Sequence, residues 1–300
     1  MHLNSTVRAL ALALALPALG AAQSTCRPSA SSSEARLLAF FAGPMAFAAA
    51  PETVGLARGQ LVVAAELAFV PSPPAGISRS SGVCGFSKSE NSELSPVLPR
   101  PRVAIGIGQG LTFEGSYLPP VTVADATPNL FGAAISWSPS HVTLPWSSRL
   151  HLRAHGTFGG VNGPVTCSRD ALQPANPSSP CYGTSPSNDR YNPNVRGVEA
   201  VVTRAAGTMI WYAGGGVNSL RSRLTVDFTD SRGIRDNNVV EISLTRAALM
   251  AGAAWAWRPE LVLSAQLYSV RGDATTARMG IAWHVRDRPR PSQRMRPSRP

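Results

Sequence analysis

The stretch that decides the fold ends in two runs, ELVLSAQLYSVR (Glu260–Arg271) and TTARMGIAWHV (Thr275–Val285), separated by a short Gly-Asp-Ala turn. In both runs nearly every second residue is apolar, and the residues between them are mostly polar or small. A period of two with one apolar side is typical of a β-strand. The runs before them, Thr208–Asp230 and Asn238–Trp257, exceed the usual strand length of about five or six residues. Long alternating strands joined by tight turns predict a closed antiparallel sheet.

The same alternation recurs upstream and divides the chain into about ten strands, with roughly 8–12 compatible with the pattern. The predicted strands are Leu61–Val70, Arg102–Gly108, Gly110–Leu118, Asn129–Ser138, Arg149–Phe158, Arg196–Ala206, Thr208–Asp230, Asn238–Trp257, Glu260–Arg271 and Thr275–Val285. Short turns alternate with long loops, of which Pro71–Pro101 and Gly159–Val195 are the longest. Bacterial outer-membrane barrels have an even number of strands, short periplasmic turns and long external loops.

Over residues 54–285 the chain therefore resembles a Gram-negative outer-membrane β-barrel protein, although it carries no motif of one particular family. The resemblance implies an all-β, closed antiparallel transmembrane barrel with both chain ends on the periplasmic side. Composition agrees with this, because the mean hydropathy is close to zero while no apolar run reaches the ~20 residues of a membrane helix. The alternative is a soluble secreted β-sandwich.

Four regions follow from the pattern. Residues 1–22 have a positive start, an apolar core and small residues before Gln23, as a secretory signal peptide does. Residues 23–53 are predicted to be a periplasmic or plug segment, because the apolar run Leu37–Ala50 is too short to span a bilayer. Residues 54–285 form the barrel, and 286–300 form a disordered tail rich in Pro and Arg. The protein is expected to be exported to the bacterial outer membrane.

Removing the predicted signal peptide takes away Arg8 and lowers the net charge from +11 to +10. Half of that lies in the tail, where six Arg and one Asp give +5. The tail either contacts anionic lipid headgroups or cell-wall polymer, or is a solvated extension, and the second interpretation is favoured. Outer-membrane lipid is the expected partner, and nucleic acid is excluded because the chain is exported. A small or hydrophobic ligand is a further expected partner.

Four cysteines remain after export, and three pairings are open. Cys167 and Cys181 share the longest loop, so we predict a local disulfide there. A bond between Cys26 and Cys84 presents a difficulty, because Cys84 belongs to an external loop while Cys26 is expected on the periplasmic side. Such a bond would require either that the N-terminal segment threads the lumen or that the predicted topology is wrong.

The polar sides of the strands collect ionisable residues that a barrel would point inward. The candidates for lining the lumen or binding a ligand are Glu66, Arg102, Glu114, His151, Arg153, His155, Glu199, Arg223, Asp227, Glu241 and Arg278. In a barrel of about ten strands such charges should largely pair with one another, either as an ionic core or as a narrow selective path. The motif His151-x-Arg153-x-His155 spaces its imidazoles too widely for an obvious shared ion. No catalytic, metal or cofactor site is predicted, and no enzymatic activity.

Two features concern the lipid-facing wall. Most of the Trp and Tyr residues fall near strand ends, where they either form interface girdles or are ordinary sheet aromatics. Arg246 shares the apolar side of its strand with Val240, Ile242 and Leu244, which predicts a bulge there or a position at headgroup level. A bulge would place the side bearing Leu249 toward lipid.

The expected function is limited transport or binding of small or amphiphilic ligands by a narrow, porin-like barrel. Two alternatives are a cell-surface display or adhesion protein that acts through its long loops, and a barrel enzyme.

Overall fold

The computed structural model describes residues 25–74, 77, 84, 97–123, 125–139, 141–142 and 144–285. The predicted signal peptide (1–22) and basic tail (286–300) lie outside the described residues, as does most of the predicted loop Pro71–Pro101.

Ten antiparallel strands close into a barrel, which confirms the predicted fold class. The strands are β1 (Leu61–Phe69), β2 (Val97–Gly108), β3 (Leu111–Leu118), β4 (Thr127–Trp137), β5 (Arg149–Gly163), β6 (Val195–Ala206), β7 (Met209–Leu220), β8 (Leu244–Arg258), β9 (Leu261–Val270) and β10 (Thr275–His284). Each strand pairs with the next along the chain, and β10 pairs with β1 from Ala277–Phe69 to His284–Val62. We call the end with the short β2–β3, β6–β7 and β8–β9 turns the turn end, and the opposite end the loop end.

The outward face of the barrel is apolar all the way round, because strand alternation sends every second side chain away from the lumen. Large apolar side chains from all ten strands are 38–66% exposed on this face. Five tryptophans lie on it near the turn end, namely Trp137, Trp211, Trp255, Trp257 and Trp283. Tyr212 does not belong to such a girdle, because it points inward and is buried. A continuous apolar belt with aromatic residues at its edge is the surface that a bilayer solvates.

β2 begins at Val97, before the predicted Arg102, and it contains Pro99 and Pro101. Pro99 and Pro101 pair with β1, opposite Leu67 and Ala65, but the ladder between β2 and β3 ends at Val103. Proline has no N–H to donate, so it is tolerated where one side of a strand is left unpaired.

The two longest predicted runs do not continue unbroken into the loops. β7 ends at Leu220 and β8 begins at Leu244; the short strands Arg223–Thr225, Phe228–Thr229, Arg235–Asp236 and Val239–Glu241 lie between them. At the loop end, Asp189–Asn192, Arg223–Thr225, Val239–Glu241 and Thr25–Cys26 pair in that order and continue the sheet from β5. We call these four strands the extension.

Residues 33–60 run through the lumen, and we call them the plug. Helix α1 (Ser33–Met45) begins where Ser32 Oγ accepts a hydrogen bond from Ala35 N, at 3.1 Å, and its apolar side chains pack inside the loop end against Tyr191, Tyr268 and their neighbours. None of the described helices is long and apolar enough to cross a bilayer. The plug continues past a short 3₁₀ turn (Pro51–Thr53) to the turn end, where β1 begins.

The threaded plug corrects the expected position of the N-terminal segment. Thr25–Cys26 pairs with Val239–Val240 in the extension, so the chain enters the lumen from the loop end, whereas β10 ends at the turn end. The expectation that the N-terminal segment begins on the same side as the last strand ends is wrong. Cys26 and Cys84 are joined in a disulfide, as threading allows. The predicted bond between Cys167 and Cys181 is also present.

Arg246 needs no bulge, and that expectation is wrong. β7 and β8 stay in register from Leu244–Leu220 to Trp255–Met209. Val240 and Ile242 are buried in the core around the plug, so the apolar side that Arg246 shares is the inner side at the loop end. Its guanidinium lies 3.0 Å from Asp273. Leu249, Trp255 and Trp257 face outward without such a bulge.

At the turn end, Gly106 is the position at which the plug touches the wall. Gly59 N donates to Gly106 O (2.7 Å) and Gly106 N donates to Gln60 O (3.0 Å). A Cβ at Gly106 would lie 2.1 Å from Ala57 O. We expect Gly106→Val to lower the free energy of unfolding by about 1–3 kcal/mol through overpacking, measured by urea titration in lipid vesicles. Gly115→Val is the matched control, because nothing lies within 4 Å of its Cβ position; an equal loss in both variants would contradict the close contact.

Candidate functional site

The middle of the lumen is organised around six consecutive carbonyl groups of the plug, Pro44 to Ala49. Each of them accepts a hydrogen bond from a side chain of the barrel wall. The donors are Arg278 to Pro44 O (3.4 Å), Arg100 to Met45 O (3.0 Å) and Ala46 O (2.9 Å), Arg153 to Phe47 O (2.6 Å), Arg102 to Ala48 O (2.9 Å) and Gln266 to Ala49 O (2.9 Å). Pro44 and Met45 end helix α1 and the residues after them are not helical, so these carbonyls lack intrahelical partners and the wall supplies hydrogen bonds to them.

The same arginines are paired with three buried glutamates. Glu114 lies between Arg102 (3.3 Å) and Arg153 (3.1 Å), and Arg153 also pairs with Glu199 at 3.1 Å. Glu66 contacts Arg102, Arg100 and Arg278. Four arginines therefore face three glutamates, and the plug carbonyls supply the additional acceptors that a buried excess of positive charge requires.

The ring of Phe47 lies inside this network. The guanidinium carbons of Arg102, Arg153 and Arg100 are 4.4, 5.0 and 5.6 Å from its centroid, which is the range of cation–π contact. On another side, a Cβ at Gly132 would lie 3.1 Å from the ring, so the wall is flat where the ring meets it. Phe47 thus fixes the depth of the plug in the barrel.

In the part of the chain that the structure describes, the plug leaves no room for an aqueous channel beside it. Glu114 and Arg102 are at most 1% exposed, and the space between the plug and the wall next to Glu52 is about 10 Å³. That volume holds about one water molecule.

The three histidine and arginine positions of the His-x-Arg-x-His motif lie on the inner face but have different partners. His151, near the turn end, has a ring nitrogen 2.6 Å from Ser138 Oγ and the other 2.9 Å from Thr203 Oγ1. His155 Nε2 lies 3.3 Å from Glu199. Within the described residues, no group of three or more His, Cys, Asp or Glu side chains is arranged to hold a metal ion.

Eight of the eleven predicted lumen residues face the lumen: Glu66, Arg102, Glu114, His151, Arg153, His155, Glu199 and Arg278. Arg223, Asp227 and Glu241 do not, and their placement there is corrected. They lie at the loop end beyond the barrel strands, with side chains 45%, 44% and 30% exposed. The predicted alternation of apolar and polar residues continues past Leu220, but the chain leaves the barrel wall there.

Sequence reasoning missed Arg100, Phe47 and the plug carbonyls. Pro99 and Pro101 flank Arg100 and favour a loop, yet Arg100 shares the inner side of β2 with Arg102, two residues further along the sequence. The carbonyls carry no sequence signal, since any residue has one.

An apolar pocket lies at the loop end, beside the point where α1 ends. Its volume is about 260 Å³. It is lined by Pro44, Met45, Val70, Val97, Leu98, Pro99, Leu118, Pro119, Val121, Val123, Ala126, Pro128 and Val161. Pro44 and Met45 belong to the plug, and their carbonyls are two of the six that side chains of the wall bind, so an occupant of the pocket would touch the anchored part of the plug.

The loop between β5 and β6 is held in place by one buried carboxylate. Asp189 Oδ2 accepts hydrogen bonds from Thr166 N (2.6 Å) and Ser187 Oγ (2.8 Å), and Oδ1 accepts one from Asp227 N (2.9 Å). Burial raises the pKa of the Asp189 carboxyl, and these hydrogen bonds oppose that shift. With the disulfide Cys167–Cys181, Asp189 gives this loop a defined shape.

No family model and no curated protein matches the chain. Solved structures that resemble it include the N-terminal β-barrel domain of OprF from Pseudomonas aeruginosa, at 8% identity and a TM-score of 0.28, covering 76% of this chain and 98% of that one. The translocator domain of the autotransporter NalP from Neisseria meningitidis has 8% identity and a TM-score of 0.38, covering 84% and 98%. The toluene transporter TbuX from Ralstonia pickettii has 9% identity and a TM-score of 0.28, covering 82% and 93%. Likenesses this weak carry no argument about the function of this chain.

Proposed function

We propose that this protein is a bacterial outer-membrane barrel, closed by its own plug, that binds a small apolar or amphiphilic ligand at its loop end. The observation that carries the proposal is the apolar pocket beside Pro44 and Met45. An apolar cavity of about 150 Å³ already accommodates a benzene-sized molecule, so about 260 Å³ suits a substituted aromatic ring or a short acyl chain.

Limited passage would start from the same pocket. The plug fills the lumen, so a ligand crosses only if the plug moves. The pocket places the ligand against Pro44 and Met45, whose carbonyls accept hydrogen bonds from Arg278 and Arg100. We propose that the protein is not a general porin and that its role is not enzymatic. Both ring nitrogens of His151 are occupied by hydroxyl groups, and His155 lies beneath the plug against Glu199.

The proposal also assigns the two sides of the membrane. Short turns belong on the periplasmic side of such barrels and long loops on the external side, so the pocket, the extension and both disulfides would face the exterior. The predicted signal peptide would bring the chain to the periplasm, where disulfides form.

The test is binding of 1-N-phenylnaphthylamine, an apolar fluorescent probe, to the protein in detergent micelles. The fluorescence of the probe in protein-free micelles is subtracted. Val161→Trp places an indole in the pocket and is expected to weaken probe binding at least tenfold, because the added ring takes up space that the probe would occupy. Val198→Trp, on the outward belt (56% exposed), is the matched control and should leave binding unchanged. Equal binding by both variants and the native protein would refute a ligand site in this pocket.

A second candidate function is display of the loop end to a surface partner. It is favoured by the shape that Asp189 and Cys167–Cys181 impose on the loop between β5 and β6. Removing residues 168–186 would abolish partner binding if this function holds, and would leave binding of the apolar probe intact.

A further inference from the structure

Four arginines form a continuous cluster on the outward face at the loop end. They are Arg190, Arg196, Arg221 and Arg223, and all are exposed. Their outward direction follows from alternation, since the intervening Tyr191, Val195, Leu220 and Leu224 point inward and are buried. We call these four residues the arginine face.

Strand pairing places these side chains next to one another. Arg196 pairs with Ser219, which makes Arg221 its diagonal neighbour. Arg190 pairs with Thr225, which makes Arg223 its diagonal neighbour. Diagonal neighbours in a sheet are about 7–8 Å apart, and Arg221 and Arg223 are two residues apart in the chain. The four arginines therefore occupy neighbouring outward positions at the loop end, with Arg196 lying over Phe158 and Arg190 beside Gly160 of β5.

The patch is poorly neutralised by the protein itself. Its nearest carboxylate is Glu241, 3.8 Å from Arg223, and Glu241 is also paired with Arg27 at 3.2 Å. Arg190, Arg196 and Arg221 have no carboxylate within ion-pair distance in the part of the chain that the structure describes. An anion from outside the chain would complete the patch.

The patch begins where the apolar belt ends. Arg196 is the next outward residue of β6 after Val198 (56% exposed) toward the loop end. Its guanidinium lies 5.5 Å from the ring of Phe158, which is also on the belt. On the outward side of β7, Trp211 and Val217 are followed by Ser219, and Arg221 comes directly after the strand ends. A boundary between apolar and polar side chains on a membrane barrel lies at the level of the lipid headgroups.

We propose that the arginine face binds the phosphate groups of anionic lipids in the leaflet at the loop end. Planar guanidinium groups bind phosphate through paired N–H···O bonds, and four of them spaced along the wall match a headgroup with more than one phosphate. This inference rests on the belt and on charge, and it does not depend on the apolar pocket.

The test uses native mass spectrometry of the full mature protein in a neutral detergent, titrated with bis-phosphorylated lipid A. The triple variant Arg196→Gln, Arg221→Gln, Arg223→Gln is expected to bind it roughly a hundredfold more weakly, because each arginine near an anionic lipid surface contributes a factor of about five. The matched control is Arg204→Gln, Arg258→Gln at the turn end, which should bind as the native protein does. Heat-modifiable migration in gels verifies that each variant is folded.

Further measurements separate binding of lipid phosphate from binding of free phosphate. The native protein should bind bis-phosphorylated lipid A more tightly than its monophosphorylated form, and inorganic phosphate should compete only at far higher concentration. Replacement of the same three arginines by Lys, which keeps the charge, should retain part of the affinity. The proposal is overturned if the turn-end control loses as much affinity as the Gln variant, if the number of phosphates makes no difference, or if free phosphate competes as well as the lipid does.

Discussion

A variant of the mature protein that lacks residues 23–53 and carries Cys84→Ser is expected to form open ion channels in planar bilayers, whereas the intact protein is electrically silent. The reason is volume: α1 and the extended segment after it fill the lumen, and about 10 Å³ is left beside Glu52. Without them, four arginines and three glutamates line a water-filled path, so the channel should prefer anions slightly.

The matched control is the double variant Cys26→Ser, Cys84→Ser, which keeps the plug and loses only the disulfide. It should stay silent, because six carbonyls and Phe47 still hold the plug to the wall. The account would be contradicted by discrete conductance in the intact protein, or by a silent deletion variant whose heat-modifiable migration shows a folded barrel.

The second large effect is expected from Glu114→Ala. Glu114 is fully buried and is the carboxylate that joins Arg102 to Arg153. Its removal leaves two buried guanidinium groups short of a counter-charge, and breaking a buried pair in this way costs about 3–5 kcal/mol. We expect the free energy of unfolding in lipid vesicles, measured by urea titration, to fall by that amount.

Glu260→Ala is the control for this change, because Glu260 lies in the exposed β8–β9 turn, where a substitution changes stability by at most about 0.5 kcal/mol. A similar small loss in Glu114→Ala would mean that water reaches the network and replaces the missing carboxylate. The network of arginines and glutamates would then contribute little to holding the plug.

The wall of the barrel was predictable because its geometry imposes a period of two on the sequence. All ten strands were found, and eight inner residues were placed correctly. The errors arise where that geometry stops applying. Arg223, Asp227 and Glu241 were placed in the lumen although the chain has left the wall, and Arg100 was lost because Pro99 and Pro101 resemble a loop.

Inside and outside were harder to tell apart at the loop end. There the inner side of the wall is apolar, because Val240 and Ile242 pack against α1, so the polar side of a strand is not always the inner one. This is why Arg246 looked misplaced. Belt and plug contacts both bury apolar residues, and the alternation alone does not distinguish them.

The position of the plug inside the lumen does not follow from its local sequence. An apolar run such as Leu37–Ala50 has the same composition whether it lies in the periplasm or in a lumen, and its position depends on contacts with residues up to 234 positions away, as between Pro44 and Arg278. The cysteines carried the distinguishing information. A bond between Cys26 and Cys84 requires threading, whereas an unpaired Cys26 would fit a periplasmic segment.

The central claim, that the chain enters the barrel from the loop end, is tested most directly by mapping disulfides in protein extracted from membranes without reduction. Free thiols are alkylated, the protein is digested, and linked peptides are identified by mass spectrometry. The account predicts one species with Cys26 joined to Cys84 and Cys167 joined to Cys181. Alkylated Cys26 and Cys84 would contradict it.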